Sequence, residues 1–398
     1  MEEWKSYRIG DLCKIKHGFA FKGIYFVNTP QRYICVTPGN FSIKGGFKND
    51  KPKYYKGPIP ENFILKEDDL IVTMTDLSKD GDTLGYSALV PNDSGHVYLH
   101  NQRIGLVIDI SPLVDKHFLY WLMRTNEYQR FIVGHCSGST VKHTSPTNIC
   151  NYSFKLPSIT TQKSIANILD TIDSKIDLNN RINHNLEERL QAKFDSLIER
   201  NNNSGCCLIK DIIDVNPKRT ISKGAIARSI DMSLLSTLGP FPTGWENKEY
   251  NGGMKFINGD TIMARITPCL ENGKVAYVNF LDEEEVAFGS TEYIVMHSKK
   301  GLPLEFTYFL ARNDDFVDYA TKNMNGSSGR QRVSGDTIEK YVLPVIQEKN
   351  IEEFGKEASI AMNVIRNNCF ENRTLSHMRD TLLPSLLSGE VSVEDTTC

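Results

Sequence analysis

KIDLNNRINHNLEERL, Lys175 to Leu190, reads as a helix, yet it sets Asn179 and Asn183 in the stripe that packing would make apolar. VIRNNCFENRTLSHMRDTL, Val364 to Leu382, sets Asn368 and Asn372 in the same places about 190 residues later. Stepping by three and four from Leu169 gives Ile172, Ile176, Asn179, Asn183, Leu186, Leu190, Lys193 and Leu197. The second stripe is Ala358, Ala361, Ile365, Asn368, Asn372, Leu375, Arg379, Leu382 and Leu386. This alternation over four heptads is a coiled-coil seam. About 40 residues at 1.5 Å each make a rod of roughly 60 Å. One such helix buries its seam on nothing, whereas two in one chain bury theirs on each other. Asn in a seam lowers stability but fixes register. Matched Asn pairs at mid-helix require the two helices to run antiparallel, which predicts globular parts at opposite ends of a rod.

Outward from these helices the whole chain repeats. SYRIGDLCKIK (6–16) matches CLIKDIIDVNPK (207–218), and EDDLIVTMTDL (67–77) matches NGDTIMARITP (258–268). FLYWLMRTNEYQRFIVGHCSGST (118–140) matches FTYFLARNDDFVDYATKNMNGSS (306–328), and FKLPSITTQKSIANIL (154–169) matches YVLPVIQEKNIEEFGK (341–356). Leu70 to Thr73 and Thr261 to Ala264 read as buried strands after an acidic turn. Phe118 to Arg130 and Phe306 to Thr321 each read as one short amphipathic helix. Leu156-Pro157 and Leu343-Pro344 end a strand and lead into the long helix. The fold class is therefore α+β: two similar globular domains separated by two long antiparallel coiled-coil helices, an internal pseudo-two-fold repeat of about 190 residues. The expected divisions are a first globular domain (1–155), a central helix (156–203), a second globular domain (204–343), a distal helix (344–390) and a tail (391–398).

At 398 residues, 40% hydrophobic and 24% charged, the chain has the composition of a globular protein of two or three domains. No apolar run approaches the ~18 residues of a membrane span, and MEEWKSYRIG lacks a signal-peptide pattern. Nine cysteines, an odd number without C-x-x-C, read as reduced thiols in a cytoplasmic protein. His135, Cys136, His143 and Cys150 come nearest to a zinc set but lack finger-like spacing, so no metal is expected. A net charge of −3 argues against purely electrostatic nucleic-acid binding. The charge is uneven, however: residues 5–66 hold 12 basic and 3 acidic side chains. No P-loop, no Asn-Pro-Pro-aromatic methyltransferase motif and no Gly-rich strand–helix turn occurs. The run Asp282 to Glu285 aims carboxylates at several faces and reads as a solvated turn, not a metal-nuclease site.

Two diverged heads on a rigid rod suit an object with two separated features. Half-sites one turn apart on duplex DNA lie ~34 Å centre to centre. At this point the residues resemble a family, the specificity subunits of type I restriction-modification systems. The resemblance covers nearly the whole chain. It rests on LPSITTQKSIANILDTIDSKID (156–177), its copy at 343–364, and the closing MRDTLLPSLLSGE (378–390). In the second head, GDTIMARITPCLENGKVAY (259–277) and FGSTEYIVM (288–296) look like a target-recognition pattern. It departs where the family's usual Glu-Gln is Thr161-Gln162, and Gln347-Glu348 in the second copy. The resemblance implies a non-catalytic subunit that binds a bipartite, asymmetric double-stranded DNA target. It also implies helices that dock two methyltransferase subunits, in a complex recruiting two restriction subunits. S-adenosylmethionine, ATP and Mg would then be used by the partners, with no cofactor in this chain. The alternatives are a subunit of a related system cutting beside its site, an enzyme (a fused methyltransferase-nuclease or a stand-alone nuclease), and a coiled-coil adaptor that never touches DNA.

Base reading needs Arg, Lys, Asn, Gln, Ser or Thr at a groove, and phosphates take Lys, Arg and hydroxyls. In the second head the candidates are Arg265, Thr267 and Lys274 after the strand, then Ser290 and Thr291, then Arg330 and Arg332 in GSSGRQR. The competing reading of Arg265 is an ion pair with Glu292. In the first head they are Thr73, Thr75 and Asp76, the trio Asn101, Gln102 and Arg103, and Ser139, Lys142 and His143. Lys44, Lys48, Lys51 and Lys53, beside Tyr54 and Tyr55, are phosphate-contact candidates. Asn179, Asn183, Asn368 and Asn372 are assigned to helix register.

Overall fold

A computed structural model describes residues 4–78, 80–201, 205–327 and 329–393. The domain boundary read at 203/204 and the tail beyond Val393 lie outside the described residues. The chain divides into two units. One joins residues 1–174 to 376–398, and the other is 175–375.

In the first unit an antiparallel sheet runs in the order Lys14–His17, Ile104–Ile108, Leu70–Thr73, Ser87–Leu89. Leu70 to Thr73 is buried at every position, as the unbroken apolar run predicts. A second sheet runs Phe26–Val27, Tyr54–Tyr55, Tyr33–Val36, Val97–His100, its last pair parallel. The second unit has the same plan. Ile213–Val215, Tyr293–Ser298, Asp260–Ala264 and Val275–Tyr277 form its antiparallel sheet. Its other sheet is Glu246–Glu249, Ile226–Ile230, Ala287–Gly289, Met254–Phe256, again with one parallel pair. The sequence repeat is thus a repeat of topology, strand for strand in the first sheet; in the second the parallel pair is kept, but the fourth strand joins at the opposite edge.

The single helix expected at 118–130 is two, Lys116–Leu122 and Asn126–Gly134. That expected at 306–321 is likewise Phe306–Ala311 and Asp314–Lys322. A capping residue causes each break. Thr125 accepts the Tyr128 N–H and Asn313 the Phe316 N–H, which restarts the helix in a new direction. Both Leu-Pro steps close a strand, and the long helices follow at Ile159–Arg200 and Glu348–Ser388.

The seam has the predicted phase. In the second unit Asn179 Nδ2 donates to Asn372 Oδ1 at 2.8 Å, and Asn368 Nδ2 to Asn183 Oδ1 at 2.8 Å. Rising number on one helix meets falling number on the other, so the pair is antiparallel. Lys193, placed in the stripe, sits at its edge on Glu357 at 2.7 Å, and the neighbouring Phe194 is fully buried instead. In the first unit Arg379 bridges to Asp173 at 2.7 Å. Gln162 is buried, accepting the Asp115 N–H and donating to the carbonyls of Leu113 and Pro157. The acidic run is not wholly solvated, since Asp282 and Glu285 both hold Arg228.

Candidate nucleic-acid interface

The three candidate clusters of each head meet at one backbone residue. In the first unit Met74 N–H donates to the Arg103 carbonyl at 2.9 Å, and Thr144 N–H donates to the Met74 carbonyl at 3.0 Å. The strand end at 73–76, the trio at 101–103 and the loop at 139–143 are therefore side by side. In the second unit Arg265 N–H donates to the Glu292 carbonyl at 3.0 Å, and Val333 N–H to the Arg265 carbonyl at 3.0 Å. That joins 265–267, 290–292 and 330–333. Met74 and Arg265 are equivalent in the repeat, so one backbone arrangement serves two sets of side chains.

Within the first patch many polar groups are committed internally. Thr73 Oγ1 donates to the Thr75 carbonyl, and Thr75 Oγ1 lies 3.2 Å from His143 Nδ1. Lys142 and His143 pair as a strand with Thr75 and Asp76. Asp76 is buried and accepts the N–H of Ser78 and both the N–H and hydroxyl of Thr83. Burial pushes its carboxyl up, but those hydrogen bonds outweigh it and hold it below the usual value. Thr73, Thr75 and Asp76 thus build the turn and do not reach solvent. Asn101 accepts the Arg103 N–H and donates to the Cys35 sulfur, which leaves Gln102 and Arg103 exposed. Ser139 is exposed too, and Leu77, which the sequence reading did not select, stands 70% exposed beside them.

The lysine run divides. Lys44 pairs with Asp380 at 2.7 Å and its carbonyl accepts Arg124 Nε, so it ties the loop to the second long helix. Lys48 approaches Asp50 at 4.0 Å, and Lys51 and Lys53 are exposed. Arg124, missed in the sequence, also binds Asp173 at 2.7 Å and lies over Trp121 at 4.2 Å. Its repeat partner Arg312 contacts Glu187 at 3.5 Å. An arginine at the same place in both copies was the available signal.

In the second patch the ion pair that competes with base reading for Arg265 is made by Arg332 instead. Arg332 Nε donates to both Glu292 oxygens at 2.9 Å, and Nη2 to Oε1 at 2.7 Å. Arg332 lowers the Glu292 carboxyl below its usual value, chiefly by those hydrogen bonds. Arg265 Nε is buried and has no acceptor among the described residues. A buried donor left unpaired costs on the order of 1–3 kcal/mol. Lys274 Nζ donates to the Met232 carbonyl at 2.7 Å, which removes it from the free set. Gln331 N–H donates to Thr267 Oγ1, and Glu292 N–H to Ser290 Oγ. Thr291 and Arg330 remain exposed.

A family model described as the type I restriction modification DNA specificity domain matches residues 1–188. The chain is 22% identical to the HindI specificity subunit of Haemophilus influenzae, over 98% of this chain and all of that one. The chain is thus similar to type I restriction-modification specificity subunits, over nearly half its length by the family model and over almost all of it by that relative. It is 29% identical to the EcoBI specificity subunit of Escherichia coli over 44% of this chain and 34% of that longer one. A solved type I S subunit from M. genitalium shares the fold, with a TM-score of 0.61 over 97% of this chain and 96% of that one, at 16% identity. Specificity subunits of type I systems are DNA-recognition components without a catalytic site, and the two convergent patches are the candidates for that recognition. Among the described residues, no helix is long and apolar enough to cross a membrane.

Proposed function

We propose that this chain reads a bipartite, asymmetric double-stranded DNA target, each unit reading one part. The observation that carries this is the twofold use of one backbone convergence, at Met74 and at Arg265, with different side chains around it. Gln102, Arg103, Ser139 and Lys142 serve one patch, and Arg265, Thr291 and Arg330 the other. Lys48, Lys51 and Lys53 contact phosphate. Thr73, Thr75, Asp76, Asn101, His143, Thr267, Lys274, Ser290 and Arg332 support these groups.

The long helices dock two methyltransferase subunits, and the assembly recruits two restriction subunits. Leu178, Ile182, Ile360 and Val364 each precede a seam residue, and all four are exposed in the second unit. Lys175–Glu371 and Arg189–Glu357 bridge the helices at the same wheel position, so these residues share one face. The following positions, Glu187 and Arg373, meet Tyr308 and Trp245 of the globular part. The opposite face, apolar at those four positions and bordered by the two ion pairs, suits partner helices. S-adenosylmethionine, ATP and Mg act on those partners, and the complex works in the cytoplasm.

Sequencing the host's N6-methyladenine with and without the gene tests this reading. A two-part motif with a fixed gap, lost on deletion, is the expected result. Identical methylomes would overturn it. Ile360→Asp with Leu178→Asp should abolish co-purification of the methyltransferase, and retained co-purification would exclude the face.

A further inference from the structure

Arg265 and Arg332 of the second patch stand 67 residues apart in sequence, and the structure gives them different work. Every nitrogen of Arg332 has a protein acceptor: Nε and Nη2 on Glu292, and Nη1 on the Arg330 carbonyl at 2.9 Å. Its backbone exchanges two bonds of 2.9 Å with Asn325, which closes the loop, and bridges to Ile266. Glu292 also accepts the Arg265 N–H through its carbonyl. One residue thus fixes the loop by its side chain and the strand end by its backbone. Arg265 is left with a buried donor and no acceptor among the described residues, and it sits where all three clusters converge.

We infer that Glu292 is a positioning residue, one that takes up Arg332 as a fixed clamp and leaves Arg265 as the guanidinium that reads a base of the target. This rests on the DNA reading proposed above. A guanidinium fork matches the two acceptors of guanine, O6 and N7, in the major groove. A carboxylate shared with Arg332 offsets part of the Arg265 charge without occupying its donors. The repeat partner of Arg265 is the buried Met74, so a guanidinium at this place in the fold serves one half of the target alone.

The test edits the chromosomal gene in the host and sequences N6-methyladenine for wild type, Arg265→Ala, Arg265→Lys, Glu292→Gln and Arg332→Ala. If the wild-type strain has no two-part motif, the DNA reading itself has failed. If it has one, Arg265→Ala should relax a single guanine position in one half by about 5- to 150-fold in discrimination, the other half staying sharp. An unchanged motif, or an equal loss at all sites, would overturn the assignment of Arg265. Should Arg265→Ala remove methylation altogether, Arg265→Lys decides: it keeps the charge but lacks the fork, and a preserved guanine would overturn base reading. Glu292→Gln and Arg332→Ala should relax the same position while methylation persists. If that position stays sharp in both, the positioning role of Glu292 is wrong.

Discussion

At the scale of residues, a polar side chain near DNA is defined by what its atoms are already bonded to. Asp76 looks like a reader in sequence and is a turn-builder in the fold. Its native carboxyl is held below the usual value, so its contribution is present above the unfolded value near pH 3.9 and is lost as pH falls through the native one. Asp76→Asn should therefore destabilise the protein by about 1–3 kcal/mol at pH 7. The gap to wild type should close below about pH 4. Urea unfolding across that range checks both, and a gap independent of pH would show that the charge is not what Thr83 and Ser78 need. The candidate list was legible as a set, because strand ends and Gly-rich loops announce themselves. The division into free and committed groups was not, because the deciding partners are distant: Arg332 meets Glu292 across 40 positions and Thr75 meets His143 across 68.

Elements show the same contrast. The seam was readable since heptad spacing is local, and matched Asn positions imply the antiparallel pairing that the hydrogen bonds confirm. Those bonds also refine what substitution does. Asn179→Leu alone strips a partner from Asn372 and Glu371 and should cost about 1–3 kcal/mol. Leu at all four Asn positions should instead raise the melting temperature while loosening register. Thermal melts of both variants decide, and identical shifts in one direction would mean the Asn pairs do not act as a unit. The helix Lys116–Leu122 is tied to the first long helix through His117, whose Nδ1 lies 2.7 Å from Asp170. That hydrogen bond chiefly raises the imidazole pKa; burial opposes it, Asp170 and Asp68 add attraction, and Lys116 subtracts. The tie is thus full below the unfolded value near pH 6.5 and is lost as pH rises through the native one. His117→Gln should lower the melting temperature at pH 6 more than at pH 9. Equal losses would show that charge plays no part in it.

For the whole molecule the prediction is separability. Arg103→Ala should alter only one half of the methylated motif, and Arg330→Ala only the other. A change in both halves from either substitution would contradict two independent patches. Affinity of the assembled complex for DNA should also fall with salt, by a log–log slope of about −0.9 per phosphate contacted.

The sequence alone determined the duplication, the phase and direction of the helices, the buried strands and the family resemblance. Each is carried by local periodicity or by the chain's likeness to itself, and neither needs a folded neighbour to be read. Only the tertiary structure decided that three distant segments converge on Met74 and again on Arg265, that Thr125 and Asn313 split a helix, and that Glu292 takes Arg332 and not Arg265. Those outcomes depend on which backbone and side-chain groups find each other across tens of residues. Hydrogen-bond competition inside a packed fold settles such pairings, and no spacing rule along the chain encodes them.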